Sequence, residues 1–423
     1  MRFIRDVRDG GHYDLIVCGA GPGGTAAAIA AAREKRRVLL LDAAGCLGGY
    51  WTSGLMGISL DMPGKGGLPR EIVNALLSEG SAQWADKESY TYDIERMKLL
   101  LETLAQNAGV DVLLYSRVTD VKVENGRIAA ILADGMTSMA FTADFFVDGT
   151  GHGRLAELAG CKYEMGFDGR CQPGSLEAMV TGVPTALWKS DIHNPAVKRK
   201  FRELLNSVGV EPTYPNPLLF ALTPRETLHK LAVNHEYGVT AEDDFGLSRA
   251  TLEARREINR AVDGLKRLPG WENLTLTQTA EQLGLRDSRR VDGLYRVTAE
   301  DALAGRGFLD AVSPVHFCLD VHHLAPDYTL PPEVKSYRFK PFDVPMRSLI
   351  ASDVRNLFTV GRAICGDFLA HSAYRTTCTA CALGEGVGLA AAALRPGQDS
   401  RETDGEAIRR ALEHRGYQMV FGA

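Results

Sequence analysis

The chain has 423 residues, 45% of them apolar and 24% charged, with a net charge of −5. Such a composition belongs to a soluble globular protein, and the small negative charge gives no electrostatic reason to expect nucleic acid or an anionic membrane as partner. No apolar run approaches the ~18 residues that cross a bilayer, and the charged start MRFIRDVRDGGHYD lacks the apolar stretch of a secretory signal, so a cytoplasmic protein is expected. At ~150 residues per domain the length points to two or three domains. The eight cysteines are scattered rather than clustered, which suits a reducing compartment better than a disulfide framework.

In chain order, Leu15-Ile16-Val17 is an apolar, β-rich run, followed by the turn Gly19-Ala-Gly21-Pro22-Gly23-Gly24. An alanine-rich stretch of helix formers continues from Gly24 to Lys35, and a second apolar run covers Val38 to Leu41. Strand, turn, helix and strand in this order place the glycines where a dinucleotide needs them. One makes the tight turn, one lets the backbone approach a pyrophosphate, and one packs helix on strand, with the helix N-terminus facing the anion. Asp42 ends the second strand, where a carboxylate can accept ribose hydroxyls. Glycines stay dense from Cys46 to Gly57, as expected of backbone lying against a ligand.

A helix is expected from Glu95 to Asn107, then an antiparallel run of short strands inserted into the first domain: Val112 to Val118, Val121 to Glu124, the hairpin signal Asn125-Gly126, Ile128 to Leu132, and Phe141 to Val147. Beyond Cys161 prolines interrupt the pattern, with charged helical stretches at Lys198 to Leu205 and Thr251 to Leu268. Asn356 to Val360 reads as a strand leading into Gly361-Arg362, and Thr376 to Leu394 as an almost chargeless helix that must be buried. The expected fold is α/β: a discontinuous Rossmann-like domain over 1–165 and 346–423, enclosing a mixed α+β substrate or cap domain over 166–345.

These segments together resemble the FAD-dependent oxidoreductases of the glutathione reductase fold, most closely those related to fumarate reductase and succinate dehydrogenase flavoproteins. The resemblance rests on the glycine turn with Asp42, on Gly48-Gly49, and on DFFVDGTGHGRLAELAG (144–160). GLRDSRRVDGLYRVTAED (284–301) and NLFTVGRAICGDFLAHSAYRTTCTACALGEGVGLAAAAL (356–394) carry it further. It implies FAD as cofactor. Gly19, Gly21, Pro22, Gly23 and Gly24 would face the pyrophosphate, Asp42 and Ala43 the adenosine ribose, and Val118 the adenine through its backbone. Gly149 and Gly151 would lie near the adenosine half, Gly48, Gly49 and Tyr50 along the flavin side, and Gly361-Arg362 beside the flavin-side phosphate. The helix beginning at Thr376-Thr377-Cys378 would aim backbone N–H groups at the pyrimidine edge of the flavin, where a positive dipole end stabilises the reduced form.

Cys46 precedes the Gly48-Gly49 pair and no cysteine follows until Cys161, so the dithiol relay of disulfide reductases of this fold is not expected. A second nucleotide fingerprint is missing, and electrons are expected to reach oxygen, a carrier protein or a transiently docked NAD(P)H. A homodimer stays open. Hydride transfer to or from the flavin N5, with a small polar and perhaps anionic substrate, is the expected reaction. Related flavin hydroxylases are an alternative, because Asp148-Gly149 and Gly366-Asp367 loosely resemble their motifs; a non-catalytic FAD- or NAD-binding protein is another.

Arg286, Arg289 and Arg290 offer the guanidinium forks that hold carboxylates, with Arg289 the expected substrate contact and an interdomain clamp with Asp287 and Glu281 as the rival reading. His371 and Arg375 fall between Gly361-Arg362 and the flavin-facing helix. There the histidine is expected as a general base or to polarise a carbonyl, with a histidine merely hydrogen-bonded to the loop as the rival reading. In Asp320-x-His322-His323 neighbouring side chains of an extended chain point to opposite faces, so a polar pocket group is expected rather than a metal site. Cys378-x-x-Cys381 is expected to pack rather than react.

Overall fold

A computed structural model describes residues 6–184, 194–225, 227–328 and 330–422. The run Leu15-Ile16-Val17 is the buried end of a longer strand, Arg8–Cys18, whose outer half pairs with Met139–Ala143 at the sheet surface. The glycine turn leads into the helix Pro22–Arg33, and the strand Val38–Leu41 returns parallel to the first. The helix is built of small residues, half of them alanine, because it is buried on all sides: Gly23 to Ala32 are all buried.

These strands belong to a seven-stranded sheet. Asp111–Leu113, Val38–Leu41, Arg8–Cys18 and Ser138–Asp148 run parallel, and Leu357–Thr359 pairs parallel with the end of Ser138–Asp148. Two antiparallel strands, Arg117–Glu124 and Arg127–Asp134, complete it. Two expectations need correction. The stretch Val112 to Val118 is not one strand; it breaks at Tyr115, whose φ of 55° turns the chain, so that its two ends join opposite sides of the sheet. The antiparallel hairpins are likewise no separate insertion. Ser138–Asp148 is long enough to pair with the hairpin by its first half and with Leu357–Thr359 by its second.

The helices Ile94–Ala108, Pro195–Ser207 and Asp244–Leu265 match the expected stretches within a turn or two at their ends. The middle of the chain also holds a four-stranded antiparallel sheet, ordered Leu218–Ala221, His229–Ala232, Ala178–Thr181, Thr275–Thr279, which the proline-broken pattern conceals. The pair Ala311–Val315 and Phe342–Pro345 packs against the C-terminal helix Thr377–Ala393. That helix is buried from Cys378 to Ala392 and lies along Pro22–Arg33.

Candidate active site

One cavity of about 950 Å³ lies between the two sheets. On the side of the seven-stranded sheet its wall is glycine. A Cβ on Gly19 would sit 2.3 Å from the Gly149 carbonyl oxygen and one on Gly24 1.9 Å from that of Gly19, so these three backbones touch. Gly21 differs. Its nearest neighbour to such a Cβ is 3.9 Å away, so its bare backbone faces open space in the cavity. Two helices begin at this wall, Pro22–Arg33 and Thr377–Ala393, and neither has a side-chain cap. Their first-turn N–H groups therefore lack intrahelical acceptors and carry the positive end of the helix dipole.

Of the residues expected to hold the cofactor, Gly19, Gly21, Pro22, Gly23, Gly24, Asp42, Ala43, Gly49, Tyr50, Val118, Gly149, Gly151, Gly361, Arg362 and Thr377 line this cavity. Gly48 and Cys378 do not. Gly48 sits behind the wall with a φ of 102°, against Thr52 and Leu101. Cys378 turns inward to Ser59 (3.0 Å) and Met62 (3.2 Å). Both cysteines of Cys378-x-x-Cys381 are free and buried, as their packing reading requires. The Asp42 carboxylate accepts the backbone N–H groups of Ala20 and Ala44, bracing the glycine turn, while burial raises its pKa.

The expected catalytic residues are not all brought together. Arg375 lines the cavity and donates to the Asp320 carboxylate at 2.9 Å. Arg289 also reaches the wall, but it is held by Glu242 (3.2 Å), Glu157 (3.5 Å) and the His152 carbonyl (3.1 Å), closer to the clamp than to a free fork. Arg290 is a clamp outright, between Asp287 and the Gly166 and Gly366 carbonyls. His371 is the correction: its side chain has no exposure, its Nε2 lies 3.2 Å from the Arg362 carbonyl, and it is absent from the cavity wall. Burial, then Arg290, Arg375 and Arg362, depress its pKa well below the ordinary value. A base must reach the proton it removes, and this ring sits behind Arg362.

Arg286 is the guanidinium the cavity gains instead. It is fixed by the Pro173 carbonyl (2.7 Å) and Ser175 Oγ (3.0 Å), and among the described residues no carboxylate lies within ion-pair distance of it. Facing it is a group of polar side chains. Asp320 pairs with Arg375 and lies 3.5 Å from His322 Nε2, and His322 Nδ1 lies 3.2 Å from His235 Nε2. Burial, and then Arg286, lower the His322 pKa to about 4, so the imidazole is neutral at neutral pH. Burial raises the Asp320 carboxyl, but His322, Arg375 and Arg286 outweigh it and hold the group well below the usual carboxylate range. Among the described residues no three metal-ligating side chains converge.

Sequence reasoning overlooked Arg286, weighed only as part of its cluster, and also Lys230 and Glu177, which enter the cavity from the four-stranded sheet. The available signal was a lysine inside the otherwise buried strand His229–Ala232.

Among solved structures, the flavin-dependent brominase Bmp2 superposes with a TM-score of 0.51 at 14% identity, over 95% of this chain and 83% of its own. A geranylgeranyl bacteriochlorophyll reductase-like protein from Thermoplasma acidophilum gives 0.49 at 13% identity, over 96% of this chain and 84% of its own. At such identity the Bmp2 likeness shows the fold alone. No curated protein matches the chain. No helix among the described residues is long and apolar enough to cross a membrane.

The glycine cradle, the two uncapped helix starts and the buried, unpartnered Nε of Arg362 suit a long anionic dinucleotide. The model of the FAD-dependent oxidoreductase family matches residues 14–412, and the chain belongs to that family: it is an oxidoreductase whose cofactor is FAD.

Proposed function

We propose that the protein transfers hydride between FAD and a small polar organic molecule bearing an anionic group, bound between the seven-stranded and four-stranded sheets. The observation that carries this reading is the pairing, in one cavity, of the glycine cradle with the guanidinium of Arg286, which has no carboxylate partner among the described residues. Bound FAD supplies the hydride acceptor or donor at its N5.

The chain's own residues would do the rest. Gly19 to Gly24, Gly149 and Gly151 would admit the pyrophosphate to bare backbone, and Thr377 and Cys378 would offer N–H groups to the flavin ring. Arg286 would hold the anionic group, with a fork that cannot lose its proton. Asp320 and the neutral His322 would orient the polar remainder of the substrate, and Arg375 would keep Asp320 ionised. The chain would divide into an FAD-binding part over 1–165 and 346–423 and a cap over 166–345. The fumarate reductase-like character of segments 284–301 and 356–394 belongs to the same proposal, as does a cytoplasmic setting, which the eight free cysteines support.

The hydroxylase alternative rests on the likeness of Asp148-Gly149 and Gly366-Asp367, whose carboxylates brace their own turns. Asp148 accepts from Thr150 and Ala156, and Asp367 from Ala299 and Ala370. The test is an anaerobic screen in which glycolate, L-lactate, glycine, succinate and benzylamine are mixed with purified holoenzyme and flavin absorbance is followed. Bleaching by an acid and not by benzylamine supports the reading. Bleaching by benzylamine alone, or by none, overturns it.

A further inference from the structure

The four-stranded sheet sends one lysine into the cavity. In the strand His229–Ala232, Lys230 and Ala232 line it, opposite Phe220 and Leu218 of the neighbouring strand, while Leu231 points back into the core. Lys230 is only 2% exposed. Its Nζ lies 3.3 Å from Glu177 Oε2 and 3.4 Å from Met56 Sδ. Tyr50 donates its hydroxyl to the other carboxylate oxygen, Glu177 Oε1, at 3.0 Å. The Tyr50 ring fills the space that a Cβ on Gly54 or Gly284 would need, since each would come within 2.2 Å of it. Three polar side chains thus run in series from the Gly48-Gly49 turn to the sheet.

Stability does not call for this arrangement. Taking an ammonium and a carboxylate out of water costs several kcal/mol per ion, and apolar residues of similar volume often serve as well. Beside Met56 and Phe220 a methionine would fit. A reaction that removes hydride from carbon must also move a proton, and that requires a reachable group able to give and take one. The guanidiniums of Arg286 and Arg375 keep their protons. His322 has one ring nitrogen against His235 and the other against Asp320, and His371 lies off the wall.

We propose that Lys230 takes and returns the substrate's proton, with Glu177 and Tyr50 as the positioning residues behind it. This rests on the reading of the cavity as the substrate site. In the oxidative direction the substrate C–H bond breaks and its hydrogen leaves with the electron pair as hydride to FAD, the oxidant. The O–H or N–H bond on the same carbon's substituent, or for a saturated acid a C–H bond on the neighbouring carbon, breaks, its proton goes to the unprotonated Nζ of Lys230, and the electron pair left behind closes the C=O, C=N or C=C bond. Reduction runs the same steps backwards. The groups facing Lys230 favour such exchange: burial and Arg286 lower its pKa, while Glu177 opposes them.

Two measurements test the assignment. Holoenzyme is acetylated competitively with acetic anhydride from about pH 6 to about pH 11, and peptide mass spectrometry compares Lys230 with exposed Lys87. Lys230 should become reactive at lower pH than Lys87. Reaction at the same or higher pH, or none, overturns the proposal, because a residue that meets substrate must be reachable from the cavity. In the second, glycolate, L-lactate, glycine and succinate reduce the flavin anaerobically in wild type and in the double variant Lys230→Met/Glu177→Gln, which leaves no buried charge unpaired. With FAD still bound, the double variant should slow reduction by about 10²–10⁴-fold and lose the alkaline-side rise of the pH profile, and Tyr50→Phe should displace that rise. A rate within about threefold of wild type overturns the role of Lys230 and leaves the substrate reading standing. Bleaching by none of the four in wild type overturns the substrate reading, and the acetylation result then decides Lys230 alone.

Discussion

Gly384 of the C-terminal helix lies against Gly23 of the first: a Cβ at 384 would sit 2.0 Å from the Gly23 carbonyl oxygen. One turn along, a Cβ at Gly388 would sit 2.3 Å from the carbonyl oxygen of Ala27. The two helices therefore meet backbone to backbone, and this contact sets both of their N-termini at one cavity.

Glycine substitutions should separate packing from binding. Gly384→Ala must push the helices apart and should cost about 3 kcal/mol or more, losing FAD with the fold. Gly21→Ala has open space and a φ of −63° that alanine accepts. Its apoprotein should unfold within about 0.5 kcal/mol of wild type while FAD affinity falls at least about tenfold. Thermal unfolding and a flavin titration read both; equal stability loss in the two variants would contradict the contact.

Arg286 and Arg290 should respond oppositely to methionine. Arg290 is buried against Asp287, which has no exposure, so Arg290→Met strands a carboxylate and should cost about 3–5 kcal/mol. Among the described residues Arg286 has no carboxylate to strand. Arg286→Met should leave the melting temperature nearly unchanged and weaken an anionic substrate by about 10- to 100-fold, the worth of hydrogen bonds to a charged group. An unchanged KM in Arg286→Met would remove the anion from its proposed place.

His371→Ala should act on stability. The ring packs edge-on to Tyr374 at 5.4 Å and meets the Arg362 carbonyl, so its loss should cost about 1–3 kcal/mol. Flavin reduction should change less than about tenfold once the protein is folded. A drop of several orders of magnitude, with stability intact, would restore the histidine to the chemistry.

Stability should fall as pH drops below about 6.5, the ordinary histidine value. Burial leads the causes that lower the pKa of His152 (to about 3), His322 (to about 4), His235 and His371, so the fold holds all four neutral where the unfolded chain binds protons. Each adds a slope of about 1.4 kcal/mol per pH unit between its unfolded and folded values, acting against the fold as pH falls. Glu236 opposes them, because burial, then Glu257 and Glu253, raise its pKa to about 7. So do Asp42, Asp148, Glu257, Asp343, Asp367 and Glu385, whose carboxyls burial raises at the lower end of the range. Scanning fluorimetry should show the melting temperature falling between pH 6.5 and 4. A flat profile would mean that these histidines are hydrated.

The Rossmann-like strand–turn–helix and the buried C-terminal helix were legible because each depends on residues close in sequence: glycine at the turn, alanine through the helix, apolar runs beside them. Fifteen residues from Gly19 to Thr377 that were expected at the cofactor line the cavity, because their places follow from the local turn and helix pattern, whereas the surroundings of Arg289 and His371 depend on distant residues. Which of three guanidiniums in 286–290 is unpaired depends on Glu157, Glu242 and Asp287 arriving from elsewhere.

By itself, then, the sequence determined the α/β class, the glycine turn, the resemblance to FAD enzymes and the burial of the final long helix, all of which are written in local periodicity and steric need. Only the tertiary structure decided that, among the described residues, Arg286 rather than Arg289 is left without a carboxylate, that His371 is walled off by Arg362, and that Lys230 enters the cavity from a sheet the prolines disguised. The reason is that charge pairing and exposure are properties of side chains brought together across the fold, and no local pattern records them.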